Sequence, residues 1–162
     1  MIILGIDPAL SITGYGAIAV EARNLSLIEG GIIATSPKEG LPMRLDKIYR
    51  ATIKLLSDTK PDVVVVEKLF AHYRHPTTAY LLGQARGVIV LACATKNIPL
   101  VEYAATRIKK AIVGKGLASK AQVQRMIAVT LKLEHIPKYS DVTDALALAV
   151  GHSYMSRARG IV

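Results

Sequence analysis

The chain begins with MIILGID (residues 1–7), an apolar run that ends in a carboxylate. A second run of the same kind is VVVVE (residues 63–67), whose β-branched residues are typical of a central strand covered on both faces. Sites in open α/β sheets form at the carboxyl ends of the strands. If the two strands are parallel neighbours, Asp7 and Glu67 therefore lie side by side at that edge.

Turn residues and hydrophobic spacing predict the remaining elements. The first run opens a meander of three antiparallel strands, which continues over residues 14–20, after a turn containing Pro8 and Gly14, and over 25–35. Gly30 and Gly31 indicate a bulge or a close backbone approach. Helices are predicted over residues 41–56, 76–95, 119–133 and 141–155, with another before residue 119, and a fifth strand over 99–103. This order predicts an α/β fold in one domain, residues 1–162, with a mixed five-stranded sheet and helices on both faces.

The predicted helix from Pro76 to Thr95 is apolar over most of its circumference. Such a helix is buried on more than one side, which in one small domain suggests that a second subunit covers its outer face. Gly83 and Gly87, four residues apart, would let another backbone approach closely. A homodimer through this helix is one interpretation, and coverage by the domain's own helices is the other.

Composition narrows the class of protein. The chain has 162 residues, of which 51% are hydrophobic and 20% charged, so it is predicted to fold around a sizeable core. A single cysteine, Cys93, excludes an intramolecular disulfide and suits a reducing compartment such as the cytoplasm. We expect no signal peptide, because Asp7 breaks the first apolar run. We also expect no membrane span, because the longest apolar run is far shorter than the ~20 residues required.

Two more acids, Asp141 and Asp144, open the last predicted helix and share one of its faces. Packing the start of this helix against the strand ends would bring them to Asp7 and Glu67. Four carboxylates this close repel one another unless cations lie between them, and oxygen ligands select Mg²⁺ or Mn²⁺. Two such ions would stabilise the attacking water and the leaving oxygen in the cleavage of a phosphodiester.

Each acid also has a simpler interpretation. Asp141 and Asp144 are favourable near a helix N-terminus because of the helix dipole. Asp7 precedes a proline and suits a turn, and Glu67 can pair with the adjacent lysine or a nearby arginine. The prediction of a metal site therefore depends on the joint placement of the acids.

Basic and aromatic residues form two regions that suit a polyanion, as does the net charge of +9, although simple solubility also explains that charge. The first region contains Phe70, Tyr73 and Arg74, where an exposed ring would stack on bases or wedge between them. The second consists of Arg107, Lys109, Lys110, Lys115 and Lys120. Lys120 opens a predicted helix, where the dipole disfavours a cation, and this mismatch favours a functional role. A buried Phe70 and a solvated basic face are the alternatives.

Short motifs lie in order along nearly the whole chain. They are GIDP (5–8), TGYG (13–16), VE (66–67), LGQARG (82–87), EYA (102–104), VG (113–114), Lys120, QVQ (122–124) and DVTDALA (141–147). Together they closely resemble the RuvC family of Holliday-junction resolvases. The resemblance implies a ribonuclease H-like fold, a homodimer, and Mg²⁺-dependent symmetric nicking of four-way DNA junctions.

The resemblance also implies roles for individual residues. The acids that match the family's metal ligands are Asp7, Glu67, Asp141 and Asp144. They would hold two Mg²⁺ ions per subunit, with Mn²⁺ as a substitute. Phe70 matches an aromatic residue that engages bases, and Lys109 and Lys120 match basic residues that contact DNA. The family acts in recombination and repair, and it cooperates with the RuvA and RuvB branch-migration proteins.

Two departures and two rival functions stay open at this point. Ala9 stands where the family usually has glycine, and residues 72–75 are unusually rich in His and Arg, which leaves the cleavage preference undetermined. One rival is a scaffold that binds junctions without cutting them. The other is a nucleotide-binding protein of the actin-like or sugar-kinase type. That class needs a second lobe, for which 162 residues leave little room, and the sequence has no Walker-type loop.

Overall fold

The computed structural model describes residues 1–22, 24–68 and 76–158. The strands in these ranges are β1 (Ile2–Asp7), β2 (Ile12–Glu21), β3 (Asn24–Ala34), β4 (Val63–Glu67) and β5 (Leu100–Tyr103). The helices are α1 (Leu41–Thr59), α2 (Pro76–Thr95), α3 (Ala105–Val113), α4 (Lys120–Thr130) and α5 (Ser140–Arg157). The predicted order of elements is confirmed, and most bounds differ from the prediction by one to three residues.

The strands form one mixed sheet in the order β3-β2-β1-β4-β5. β1 pairs with β2 and β2 with β3 in antiparallel fashion, whereas β1 pairs with β4 and β4 with β5 in parallel. The first strand of the chain is thus the central strand of the sheet. Because β1 and β4 are parallel neighbours, their last residues, Asp7 and Glu67, emerge at the same edge.

Helices cover both faces of the sheet, as predicted for this α/β fold. The valines of β4 show the division, since Val63 and Val65 join a cluster with α3, α4 and α5. Val64 and Val66 join a second cluster with α1 and α2. We call these the α5 face and the α2 face. All four valines are buried, as expected for a central strand.

α5 approaches the sheet closely because two glycines leave room for its backbone. A Cβ atom at Gly5 would lie 1.9 Å from the carbonyl oxygen of Ala145, and one at Gly14 would lie 2.1 Å from that of Asp141. Neither glycine has a positive φ, so space rather than turn conformation requires them. The assignment of Gly14 to a turn is wrong, because it lies within β2 and pairs with Asp7.

The ladder between β2 and β3 is irregular at a different place from the one predicted. Its register shifts between Ala17 and Ile18, whereas Gly30 and Gly31 pair regularly with β2. The bulge predicted at the glycine pair is therefore wrong. The alternative was a close backbone approach, but the group that lies close to Gly31 is the side chain of Tyr15. A Cβ atom there would lie 2.6 Å from the hydroxyl oxygen of Tyr15.

The described residues cover only one side of α2. Ala85, Ile89 and Ala92 are fully buried against the sheet and α1, and Cys93 is buried beside them. The opposite side exposes Leu91, and Gly83 and Gly87 have no neighbouring atom within 4 Å of a Cβ position. By length and composition residues 77–95 could span a membrane. The core contacts of this helix favour instead a core helix with one uncovered side.

Candidate active site

The predicted acids lie on three elements that meet at one edge of the sheet. Asp7 ends β1 and Glu67 ends β4. Asp141 and Asp144 lie at the start of α5, where its backbone presses against Gly14 of β2. The close packing of α5 on β1 and β2 therefore carries the two helical acids to the strand ends.

A cavity of about 220 Å³ opens at this edge. Its charged lining consists of Asp7, Glu67, Asp144, Lys109 and Lys120. The remaining wall is apolar and consists of Ala105, Ile108, Val123, Ala147 and Leu148. The structure thus brings together three of the four predicted acids and two of the predicted lysines, from five different places in the sequence. Asp141 does not line the cavity.

The electrostatics of the cavity centre on Asp7. Burial, followed by the negative charges of Asp144, Glu67 and Asp141, raises the pKa of Asp7 from 3.8 to about 7, and the ammonium of Lys120 opposes this shift. Burial and Asp144 also raise the pKa of Glu67, against the opposing charge of Lys109. Asp141 therefore lies near enough to act on Asp7 electrostatically. Burial first, and then the neighbouring acids, thus disfavour the ionised forms of Asp7 and Glu67, and the two lysines oppose this effect.

Lys120 is the first residue of α4 and pairs with α5 across the cavity. Its Nζ donates to Oδ2 of Asp144 at 2.5 Å, and this hydrogen bond is the main reason that the pKa of Lys120 is raised. The helix start is fixed by a capping box, in which Ser119 Oγ accepts from Gln122 N and Gln122 Oε1 accepts from Ser119 N. The bond to the carboxylate of Asp144 thus explains why Lys120 is tolerated at the N-terminus of α4, where the helix dipole disfavours a cation.

The donor set fits a hard divalent cation in its chemistry. Carboxylate oxygens are the ligands that Mg²⁺ and Mn²⁺ prefer, and the raised pKa of Asp7 marks negative charge in need of a cation. In the described ranges, no three His, Cys, Asp or Glu side chains are close enough together to hold an ion as they stand. The ammonium of Lys120 is the cation at Asp144 in this arrangement.

The predicted DNA-contacting residues have different outcomes. Phe70, Tyr73 and Arg74 lie outside the described residues. Lys109 lines the cavity, as given above, whereas Lys115 is exposed in the turn between α3 and α4. Lys115 therefore lies between the two lining lysines in the sequence but does not line the cavity itself.

Comparisons with known proteins agree with this geometry. The family model described as "Crossover junction endodeoxyribonuclease RuvC" matches residues 3–152. The chain belongs to the RuvC family. The RuvC protein of Alkaliphilus metalliredigens is 46% identical over 154 residues, covering 95% of this chain and 93% of that protein.

Solved structures of RuvC share the fold described here. The Thermus thermophilus RuvC structure has a TM-score of 0.91 at 33% identity, covering 98% of this chain and 97% of that one. A second structure, T. thermophilus RuvC in complex with Holliday junction substrate, has a TM-score of 0.90 at 31% identity, covering 98% and 96%. The ribonuclease H-like fold predicted from the RuvC resemblance is confirmed.

The departure from the usual RuvC sequence at Ala9 is accommodated. Ala9 has no positive φ, so its methyl group causes no backbone strain. The buried hydroxyl of Thr13 accepts from Ala9 N at 3.2 Å and donates to Ala9 O at 2.6 Å, which closes the turn after Asp7. Alanine therefore fits the backbone conformation of this turn.

Two features of this RuvC site were missed in the sequence. The first is the role of Gly5 and Gly14, although a glycine within each of two buried strands was a signal of close approach. The second is Arg44 of α1, whose guanidinium contacts the turn after Asp7. Nothing in the helical spacing of residues 41–56 marks Arg44 as a partner of a distant loop.

Proposed function

We propose that this chain is a Holliday-junction resolvase, acting as one domain over residues 1–162. In this proposal it is a crossover junction endodeoxyribonuclease of DNA recombination and repair in the cytoplasm. The observation that carries the proposal is the cavity in which Asp7, Glu67 and Asp144 face Lys109 and Lys120. The membership of the RuvC family and the likeness to a RuvC structure with bound junction substrate support it.

The residues that would hold two Mg²⁺ ions are Asp7, Glu67, Asp141 and Asp144. When bound, such ions would activate water and would stabilise the negative charge that develops on the phosphodiester. The carboxylates of the chain orient the attacking water and keep the ligand oxygens together. Lys120 stabilises negative charge near the scissile phosphate, and the apolar wall excludes competing water.

DNA binding in this proposal separates positioning from chemistry. Lys109, Lys115 and Arg74 contact phosphates, which fixes the substrate without reading its sequence. Phe70 and Tyr73 stack on bases near the cut. The net charge of +9 raises the local concentration of DNA, so junction binding is expected to weaken with salt.

The uncovered side of α2 supports a homodimer. Leu91 is 56% exposed on a helix whose other side is core, and Gly83 and Gly87 leave space for another backbone. A two-fold dimer would match the symmetry of a four-way junction and place two sites for paired cuts. RuvA and RuvB remain the expected partners from the family resemblance.

The test is cleavage of a synthetic four-way junction in Mg²⁺, with a linear duplex of the same sequence as control. Wild type is expected to give paired nicks on opposing strands of the junction, with 5′-phosphate and 3′-hydroxyl ends. Asp7→Asn is expected to abolish cleavage and retain junction binding. The matched exchange Asp62→Asn lies at the opposite edge of the sheet, where Asp62 accepts from Ile2 N, and should cleave normally. Tight binding without cuts in both Mg²⁺ and Mn²⁺ would instead establish the scaffold function.

A second experiment addresses the aromatic residue of the proposal. Phe70→Ala is expected to lower the cleavage rate more than junction affinity, because stacking acts near the cut and phosphate contacts supply most of the binding. Equal losses in rate and affinity would argue that Phe70 is a structural residue.

A further inference from the structure

The turn that follows Asp7 is fastened to a helix on the other face of the sheet. This turn, residues 8–11, joins β2 to β1, whose last residue, Asp7, lines the cavity. Its far end is held by the end of β3, where Thr35 N donates to Ser11 O at 2.9 Å. The hydroxyl of Thr35 donates to Leu10 O at 2.5 Å. Two consecutive carbonyls of the turn are therefore bonded to one residue.

Arg44 of α1 completes this arrangement. Its Nε donates to Thr35 Oγ1 at 2.8 Å, and its Nη2 donates to Ser11 Oγ at 3.2 Å. The hydroxyl of Thr35 has one proton, which it gives to Leu10 O, so its lone pairs are free to accept from Arg44. The result is a chain of bonds from the α1 guanidinium through Thr35 to the backbone of the turn. Successive bonds of this kind polarise and strengthen one another.

The chemistry of these contacts points to geometry rather than charge. Both acceptors are neutral hydroxyls, and the salt bridges found among the described residues do not include Arg44. The planar fork of an arginine can direct Nε and Nη2 at two oxygens at once, which a lysine ammonium on a flexible stem cannot reproduce. Thr35 is 8% exposed, so loss of Arg44 would leave the hydroxyl oxygen without this donor at a buried position, although its own bond to Leu10 O would remain.

We propose that Arg44 is a positioning residue for Asp7, acting through Thr35, Ser11 and the turn at residues 8–11. Asp7 is the last residue of β1, and its side chain leaves the sheet where this turn begins. Thr13 holds the near part of the turn at Ala9, and Arg44 with Thr35 holds the far part. Freeing the far part lets the end of β1 shift, and a shift of about 1 Å at a reacting group costs on the order of 100-fold in rate.

The test compares two variants that break the chain of bonds at different links. Arg44→Lys keeps the charge and removes the fork, and Thr35→Val removes the hydroxyl and leaves every charge in place. Each is expected to lower the single-turnover cleavage rate at saturating protein by about 10-fold or more, with junction affinity within about twofold of wild type. The double variant is expected to lose no more than either single one, because both break the same chain.

A second readout does not require activity and separates this inference from the proposed resolvase function. Amide hydrogen exchange of the peptide covering residues 8–14 is expected to speed up in both variants, with or without divalent metal. Arg50→Lys is the matched control on the same helix, because Arg50 pairs with Asp46 on an exposed face. It should change neither the exchange of this peptide nor the rate.

Three outcomes would overturn the inference. If Arg44→Lys cleaves like wild type while Arg44→Gln weakens binding and lowers the salt slope by about 1, Arg44 is a phosphate contact. If exchange at residues 8–14 is unchanged in both variants, Arg44 does not hold the turn. If Thr35→Val slows exchange or cleaves normally while remaining folded, Thr35 is not the intermediate link. Failure of wild type to cut junctions would contradict the resolvase function, but faster exchange in the variants would still support the role of Arg44.

Discussion

The two faces of the sheet are built in different ways. On the α5 face, the backbone of a helix lies against the backbone of β1 and β2, because Gly5 and Gly14 leave no side chain between them. On the α2 face, side chains such as Ile6, Ile48 and Ile89 fill the space between sheet and helices. Backbone contact leaves little freedom, whereas side-chain packing adapts to substitution. The face with little freedom carries the acids, and the adaptable face carries the uncovered surface.

The largest loss of stability and activity is expected when a methyl group is added between α5 and the sheet. Gly14→Ala would place a Cβ atom 2.1 Å from the carbonyl oxygen of Asp141, so α5 must move away from β2. We expect a loss of about 3 kcal/mol or more in the free energy of unfolding and at least about 100-fold in cleavage. Urea unfolding and single-turnover cleavage measure the two effects.

Gly30→Ala is the matched control for that variant. Its added Cβ would meet a side-chain methyl group of Val142 at 3.1 Å rather than a backbone atom. A small effect is therefore expected. Equal damage from both substitutions would show that the close approach of α5 has no special importance.

The second largest effect concerns the charge gathered on the α5 face. The pKa of Asp7 is about 7 in the folded protein against 3.8 ordinarily, so the folded state holds a proton that the unfolded chain releases. In metal-free protein, this contribution to stability is fully present below about pH 4 and is lost as pH rises through about 7. Asp7→Asn removes the ionisable carboxyl group and with it this loss of stability at high pH. The variant should exceed wild type at pH 8 by about 2 kcal/mol, half the full conversion of the shift, because solvent screens part of the charge.

Urea unfolding in a chelator at pH 4 and pH 8 checks this prediction. Glu67 contributes in the same direction, since its pKa is also raised. Asp62→Asn is the control for an aspartate-to-asparagine exchange outside the acid cluster. If Asp7→Asn and wild type are equally stable at pH 8, burial and the neighbouring acids do not disfavour the ionised form of Asp7.

The third effect tests whether Lys120 serves chemistry or stability. Its side chain is 55% exposed, so the salt bridge with Asp144 contributes at most about 1 kcal/mol to the free energy of unfolding. Lys120→Ala is nevertheless expected to lower cleavage by about 10- to 100-fold, because the cation acts where charge develops. Lys115→Ala is the control and should weaken junction binding without changing the rate at saturation. Loss of stability without loss of rate would reverse the assignment of Lys120.

The smallest effect concerns the α2 face. Leu91→Lys places a charge on the uncovered side of α2, and we expect at least a tenfold weaker dimer with an intact monomer fold. Sedimentation equilibrium measures the association, and thermal unfolding reports the monomer. Met43→Lys on α1, at a position that is 64% exposed, should leave association unchanged. An unaltered oligomeric state in Leu91→Lys would argue against a dimer through α2.

The sequence predicted those features that depend on local pattern. The run of valines in β4, the capping box at Ser119 and Gln122, and the proline at the start of α2 each carry a local signal, and the structure places each element accordingly. Carboxylates that directly follow buried strands are local signals as well. The parallel pairing of β1 and β4 then determines which strand ends become neighbours.

The features that sequence reasoning missed depend on contacts between distant segments. The bond from Lys120 to Asp144 joins two helices, and the bond from Arg44 to Thr35 joins a helix to a strand end. The shifted register at Ala17 and Ile18 likewise follows from how β3 lies along β2. No spacing rule within one element could reveal these partners, because the relevant geometry arises only when the helices dock.

The central position of β1 also has a consequence for biosynthesis. β1 supplies Asp7, yet α5, which supplies Asp141 and Asp144, follows all the other described elements along the chain. These acids become neighbours only after α5 has been translated and has closed against β1 and β2. A nascent or prematurely terminated polypeptide that stops before residue 140 therefore lacks half of the proposed catalytic acids. The proposed set of four acids is therefore complete only after α5 has been made.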